Sequence, residues 1–312
     1  MAQLVKLSDY ISRYETDIYR YTSRFSRLKK ERWDRAKSEW LKMKEHGHTS
    51  IFHDLEEEEQ TITSRIKKFP WFNKKKDGDR DEFVFDRHQI PKSEEDFKSD
   101  FKKEIFQFQL NWASSTISER SFIKRSIKYN TWLNYLLKEL PDSYLIFFEP
   151  VLFLKKAPVD LDIMILTPTE LWLVTPLSGD KNTIYQIESE RFWLKKVGER
   201  QEKILHPSIQ LKRMRSVAEH LLIDAQLSYP IRTAIIAKDS FIDIPQESQR
   251  IKLIDKRTFP IWDEKLKQNR TPMKHHQLKV GDLFLQNCLT ISESRMELEE
   301  DIEEENSESS SF

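Results

Sequence analysis

The sequence predicts an α/β protein in which a long helical N-terminal region precedes a domain of alternating strand and helix signals. Three observations carry this prediction. Ile11, Tyr14, Ile18, Tyr21, Phe25 and Leu28 recur at spacings of three and four, the pattern of one face of a helix. From Phe122 onward, short apolar runs alternate with amphipathic stretches, the rhythm of an α/β domain. The chain also holds 19 Phe, 8 Trp and 9 Tyr in 312 residues, so aromatic burial supplies much of the apolar core even though 33% of residues are charged.

The first helix is expected from Leu7 to about Glu45, with Ser8 or Asp9 able to cap it and Gly47 placed to end it. Its apolar stripe slips by one position after Leu28 and resumes at Trp33, Ala36, Trp40 and Met43. A long ideal coiled coil does not slip, so a helix or bent helix pair packed on its own chain is preferred to a dimerising coil. Self-association through this helix stays open as the alternative.

Between His48 and about Ile105 the chain reads as irregular. "RIKKFPWFNKKKDGDRDEF", from Arg65 to Phe83, interleaves Lys67, Lys68, Lys74, Lys75 and Lys76 with Phe69, Trp71 and Phe72. Such a mixture can hold a nucleic-acid strand by phosphate attraction and base stacking. It equally fits aromatics that anchor a loop while lysines face water, and this is the preferred reading, since Asp77, Asp79, Asp81 and Glu82 follow at once. "DGDRDE" begins like a calcium loop but lacks the later bidentate Glu, so a turn is expected.

In the α/β domain, a helix is expected over Phe122 to Leu140, ending before Pro141. Strands fit "YLIFFEPVLFL", "LDIMIL", "ELWLVTP", "TIYQI", "RFWLKK", the apolar run "IRTAIIA" and "RIKLIDK". "HPSIQLKRMRSVAEHLLIDA" is an amphipathic helix with Pro207 in its first turn, where proline belongs. Four regions follow: 1–60 helical, 61–121 an irregular charged and aromatic connection, 122–290 the α/β domain, and 291–312 an acidic, Ser-rich tail expected to be disordered.

Lys plus Arg equals Asp plus Glu at 52 each, which gives no global attraction to polyanions, so any such binding must be local. The single cysteine, Cys288, excludes an intrachain disulfide and a thiolate zinc site. No segment reaches the roughly 20 apolar residues of a membrane span, and a cytoplasmic location is expected. His46, His48 and His53 have no acidic or cysteine partner spaced with them for a metal, and the adjacent His275 and His276 are expected to be solvated.

Within this frame, "LLKELPDSY", "LDIMILTP", "ELWLVTPLSG" and the Pro-x-x-Gln of Pro207 and Gln210 occur in the order found in the NERD, or nuclease-related, domain. Phe122 to about Gln268, half of the chain, resembles that family, which belongs with the PD-(D/E)xK restriction-endonuclease-like enzymes. The resemblance implies a mixed sheet flanked by helices. It also implies a metal site: a Glu on the first helix, an Asp on one strand and Glu-x-Lys on the next. In such a site carboxylates hold Mg²⁺ against the scissile phosphate while lysine positions the attacking water.

Asp162 matches the family's Asp, as catalytic residue and as metal ligand. The Glu position falls on Thr175, the Lys position on Leu177 and the helix position on Asn130 or a close neighbour. Thr175 offers only a neutral oxygen, and Leu177 offers nothing to water or phosphate. The expectation is therefore a catalytically inactive nuclease-related protein that needs no cofactor and acts as a binding or scaffolding module, its partner a protein or nucleic acid. Two alternatives stand beside it. One is a divergent nuclease using Mg²⁺ through relocated ligands, with Asp160 or Glu170 as second acid and Lys212 or Arg213 as cation. The other is a protein-interaction module working through the N-terminal helix.

Overall fold

The computed structural model describes residues 1–46, 91–154, 157–244 and 251–294. Their elements begin with β1 (Gln3–Leu7), a 3₁₀ turn (Arg13–Glu15), α1 (Ile18–His46), α2 (Glu94–Trp112), β2 (Glu119–Arg120), α3 (Arg125–Lys128) and α4 (Thr131–Glu139). Next come β3 (Leu145–Phe148), β4 (Val151–Leu154), β5 (Ala157–Asp160), β6 (Ile163–Leu166), β7 (Leu171–Pro176), β8 (Thr183–Ile187), β9 (Phe192–Val197) and β10 (Arg200–Leu205). The chain continues through α5 (Pro207–Asp224), β11 (Ile231–Ala237), β12 (Phe241–Asp243), β13 (Lys252–Asp255), α6 (Phe259–Gln268), α7 (His275–Gln286) and β14 (Glu293–Ser294). Two compact units result, Met1–Thr22 with Gln109–Phe312, and Ser23–Phe108.

The larger unit is built on a six-stranded mixed sheet of order β1-β3-β6-β7-β11-β13. β3, β6 and β7 are antiparallel neighbours, while β1 joins β3, and β11 joins both β7 and β13, in parallel. Strands buried on both faces read as continuous apolar runs, and "LIFF", "IMIL" and "LWLV" are buried at every position. Trp172 meets Trp262 of α6 at 5.9 Å, and Phe259 of α6 meets Tyr135 of α4 at 5.4 Å. The register Phe147↔Met164↔Leu173 turns Phe147 to the face opposite Trp172, where it meets Phe284 of α7 at 6.1 Å. On that second face α7 packs closely through Gly281, where a Cβ would stand 3.3 Å from Leu145 and 3.5 Å from Leu166. α5 packs on β7 and β11 and against α7. A second sheet, β10-β9-β8-β12, buries Tyr185 and Trp193.

In the smaller unit Phe25, Ala36 and Trp40 of the α1 stripe are buried within its own chain, while Met43 is exposed. Trp33 and Trp40 each meet Phe97 of α2 at 5.1 Å, Phe25 stacks on Phe108 at 6.1 Å, and Trp40 Nε1 donates to Pro91 O at 2.9 Å.

Several boundaries differ from the sequence reading. The first helix begins at Ile18, not Leu7, because "QLVKL" forms β1 beside β3, its five residues wholly buried. The stretch expected to stay irregular to Ile105 becomes helical at Glu94, with Ser93 Oγ accepting from Asp96 N at 3.0 Å as a cap. The expected helix over Phe122 to Leu140 divides at Asn130, whose side chain caps α4. "YLIFFEPVLFL" divides into β3 and β4 at Glu149, which takes φ 49° before Pro150. Gly47, His48, His53, Lys67, Lys68, Trp71, Lys74, Lys75, Lys76 and the tail beyond Ser294 lie outside the described residues.

Candidate functional site

β6 and β7 pair with Ile163 opposite Val174, so Asp162, just before β6, stands across from Thr175. Thr175 Oγ1 donates to Asp162 Oδ2 at 2.6 Å. The second carboxylate oxygen faces α5. That helix starts at Pro207, with the His206 ring nitrogen accepting from Ser208 N at 3.1 Å, and this start carries Gln210 toward the strand end. Gln210 Nε2 donates to Asp162 Oδ1 at 3.4 Å and to Asp160 O at 3.2 Å. Arg213, one turn on, donates to Asp160 O at 3.0 Å and to Gln210 Oε1. Three of the motif positions, Asp162, Thr175 and Gln210, therefore share one hydrogen-bonded cluster.

Asp162 is half-buried, and burial pushes its carboxyl pKa up; the donors Thr175 and Gln210 and the charge of Arg213 pull against this without reversing it. Leu177 is only 9% exposed, and its backbone N–H donates to Ile236 O at 2.8 Å beside β11.

The other relocated candidates scatter. Asp160 joins the cluster through its carbonyl oxygen. Glu170 lies at the far end of β7, accepting from Trp172 Nε1 at 2.8 Å and pairing with Arg232 at 3.1 Å. Lys212 is exposed and acts on His206, whose pKa is lowered first by burial and then by that lysine's charge. Asn130 Oδ1 accepts from Leu133 N at 3.0 Å, a helix cap. Both histidines of the pair are exposed, as expected; His275 lies 5.3 Å from the Tyr19 ring and His276 Nε2 lies 2.8 Å from Ser228 O.

Sequence reasoning passed over Glu149. Its backbone N–H donates to Asp162 O at 3.0 Å. Burial, then the charge of Asp162, push its carboxyl pKa up, while Lys124 pulls it down. The signal was a lone acid inside the apolar run "YLIFFEPVLFL", placed just before a proline. Among the described residues, no three His, Cys, Asp or Glu side chains gather as a metal-holding group. Asp162 and Glu149 are a pair of acids, and both oxygens of Asp162 already accept protein donors.

No family model matches the chain, and no solved structure matches it. Over 40 residues it is 60% identical to an RNA 2',3'-cyclic phosphodiesterase of Geobacillus stearothermophilus, a stretch covering 13% of this chain and 13% of that protein. Among the described residues no helix is long and apolar enough to cross a membrane.

Proposed function

We propose that this chain is a nuclease-related-domain protein that has lost its metal and lysine chemistry and works as a binding or scaffolding module. One observation carries the reading: Thr175 meets the Asp162 carboxylate with a neutral hydroxyl at 2.6 Å, at the position where an active site would supply a second acid, and the buried Leu177 occupies the position of the lysine. Thr175 cannot neutralise a divalent cation, and Leu177 has no proton to exchange. The donors leave Asp162 as a hydrogen-bond acceptor that ties β6 and β7 to the start of α5.

A second reading, a divergent Mg²⁺-dependent nuclease, is favoured by Glu149, whose backbone N–H donates to Asp162 O at 3.0 Å and whose carboxyl feels the charges of Asp162 and Lys124. Glu149 and Lys124 would be the relocated acid and cation. The two readings separate in one assay, incubation of the full chain with DNA and with RNA in Mg²⁺ or Mn²⁺, beside Asp162→Ala and Glu149→Gln. The first predicts intact nucleic acid throughout. Cleavage by the parent that disappears in both variants overturns it in favour of the second.

A further inference from the structure

We infer that Arg120–Tyr129, "RSFIKRSIKY", is a surface for single-stranded nucleic acid, an inference that names a partner class for the binding module proposed above. The segment carries Arg120, Lys124, Arg125 and Lys128, and the chain has no Asp or Glu from Arg120 until Glu139. All four cations are exposed. Among the described residues none of the four enters an ion pair, whereas Arg215, Arg232, Lys203 and Lys267 elsewhere in the same unit all do. A surface of unpaired cations with no acid in its run is a local site for phosphates in a chain whose total charge is zero.

The rings are the second observation. Phe122 is 57% exposed and Tyr129 71% exposed, whereas most aromatics among the described residues are buried. The Arg120 guanidinium lies 5.6 Å from the Phe122 ring centre. Exposed aromatic faces interleaved with cations take unpaired bases by stacking while the cations follow the backbone. A duplex, whose bases are already stacked, makes no use of them.

The backbone of this surface is held in place. β2 pairs with β14, Ser121 N donates to Ser114 O at 2.8 Å, and Ser121 Oγ donates to Ile291 O at 2.6 Å. Lys124 N donates to the Tyr10 hydroxyl at 3.2 Å, and Tyr129 N to Ser126 O at 3.2 Å. A preformed surface lowers the ordering cost of binding. The acids at its margin are Glu293, the antiparallel partner of Arg120, Glu119, which accepts from Ser292 Oγ at 3.3 Å, and Glu149, which feels the charge of Lys124. Lys124 acts on Glu149, whose backbone N–H in turn donates to Asp162 O at 3.0 Å. An anionic membrane is the competing partner class, but one Phe and one Tyr give little apolar mass for the interface.

The test is fluorescence anisotropy of labelled single-stranded RNA, single-stranded DNA and duplex DNA with the full chain in EDTA. Binding of the single strands in preference to the duplex is expected. Phe122→Ala with Tyr129→Ala should weaken it about tenfold or more. Lys124→Gln, Arg125→Gln and Lys128→Gln together should reduce the slope of log K against log salt by about 2. These side chains are exposed, and circular dichroism checks that the variants stay folded. Absence of single-strand binding, or binding that both variant sets leave unchanged, overturns the inference. So does binding to phosphatidylserine vesicles that these variants abolish while no oligonucleotide binds. Cleavage of the bound strand after Mg²⁺ addition leaves the surface standing and overturns the non-catalytic reading instead.

Discussion

Lys6 and Asp162 both leave water within the sheet-bearing unit, and their surroundings differ in kind. Lys6 is 0% exposed, and its ammonium donates to Tyr10 O at 2.7 Å, to Thr290 Oγ1 at 2.7 Å and to the Glu15 carboxylate. Thr290 in turn donates to the other Glu15 oxygen at 2.9 Å. All three ammonium protons have acceptors, one of them a full counter-charge. Asp162 is less buried yet worse compensated, with neutral direct donors and Arg213 acting on it only through space. A buried charge whose every proton or lone pair meets a partner is accounted for by structure, and one left with only neutral donors is not. The Lys6 network ties β1, the 3₁₀ turn and the segment after α7 together, so its burial is explained by stability. Asp162 sits at a strand end with a raised pKa and an acid neighbour, an arrangement that costs stability.

The largest expected effect breaks the first half of the contrast. Lys6→Met leaves Glu15 without its counter-charge and should lower unfolding free energy by on the order of 3 kcal/mol in urea denaturation. A change near zero would remove Lys6 as a structural charge. Thr175→Val, which keeps the shape and removes the hydroxyl, should cost about 1–2 kcal/mol because Asp162 loses its shortest donor. The same substitution in an Asp162→Asn background should cost less, and equal costs in both backgrounds would show that the hydrogen bond does not couple them.

The smallest effect is the most specific. An acid whose pKa is raised in the folded state ionises in the unfolded chain first, so stability falls as pH rises from the ordinary carboxylate range toward the raised value. Below that range parent and Asp162→Asn should therefore differ by a constant. As pH climbs through the window the variant should gain on the parent, and above it the gap should hold. Glu149 is raised first by burial and then by the charge of Asp162, so the variant keeps only the burial part and the lost part adds to its gain on the parent as pH rises. A gap in melting temperature that is flat with pH, or that closes as pH rises, contradicts the burial of an uncompensated Asp162.

Most of the sheet was legible because buried strands write themselves as apolar runs: β6, β7 and β11 stand where "LDIMIL", "ELWLVTP" and "IRTAIIA" place them. Asp162, Thr175 and Gln210 were legible as a set because strand register and a proline-started helix fix their separation. β1 was not, since "QLVKL" is short and its partner β3 lies some 140 residues away, a pairing that no local pattern announces. α2 was missed because its acidic start resembles the charged stretch before it. Glu149 was missed because the sharp turn at positive φ that separates β3 from β4 depends on tertiary context.

If Asp162 is a hydrogen-bond acceptor and not a metal ligand, as proposed above, calorimetric titration of the full chain with Mn²⁺ should give the same heats for the parent, Asp162→Ala and Glu149→Gln, with no binding that depends on either acid. Stoichiometric Mn²⁺ binding by the parent that vanishes in both variants would overturn that proposal.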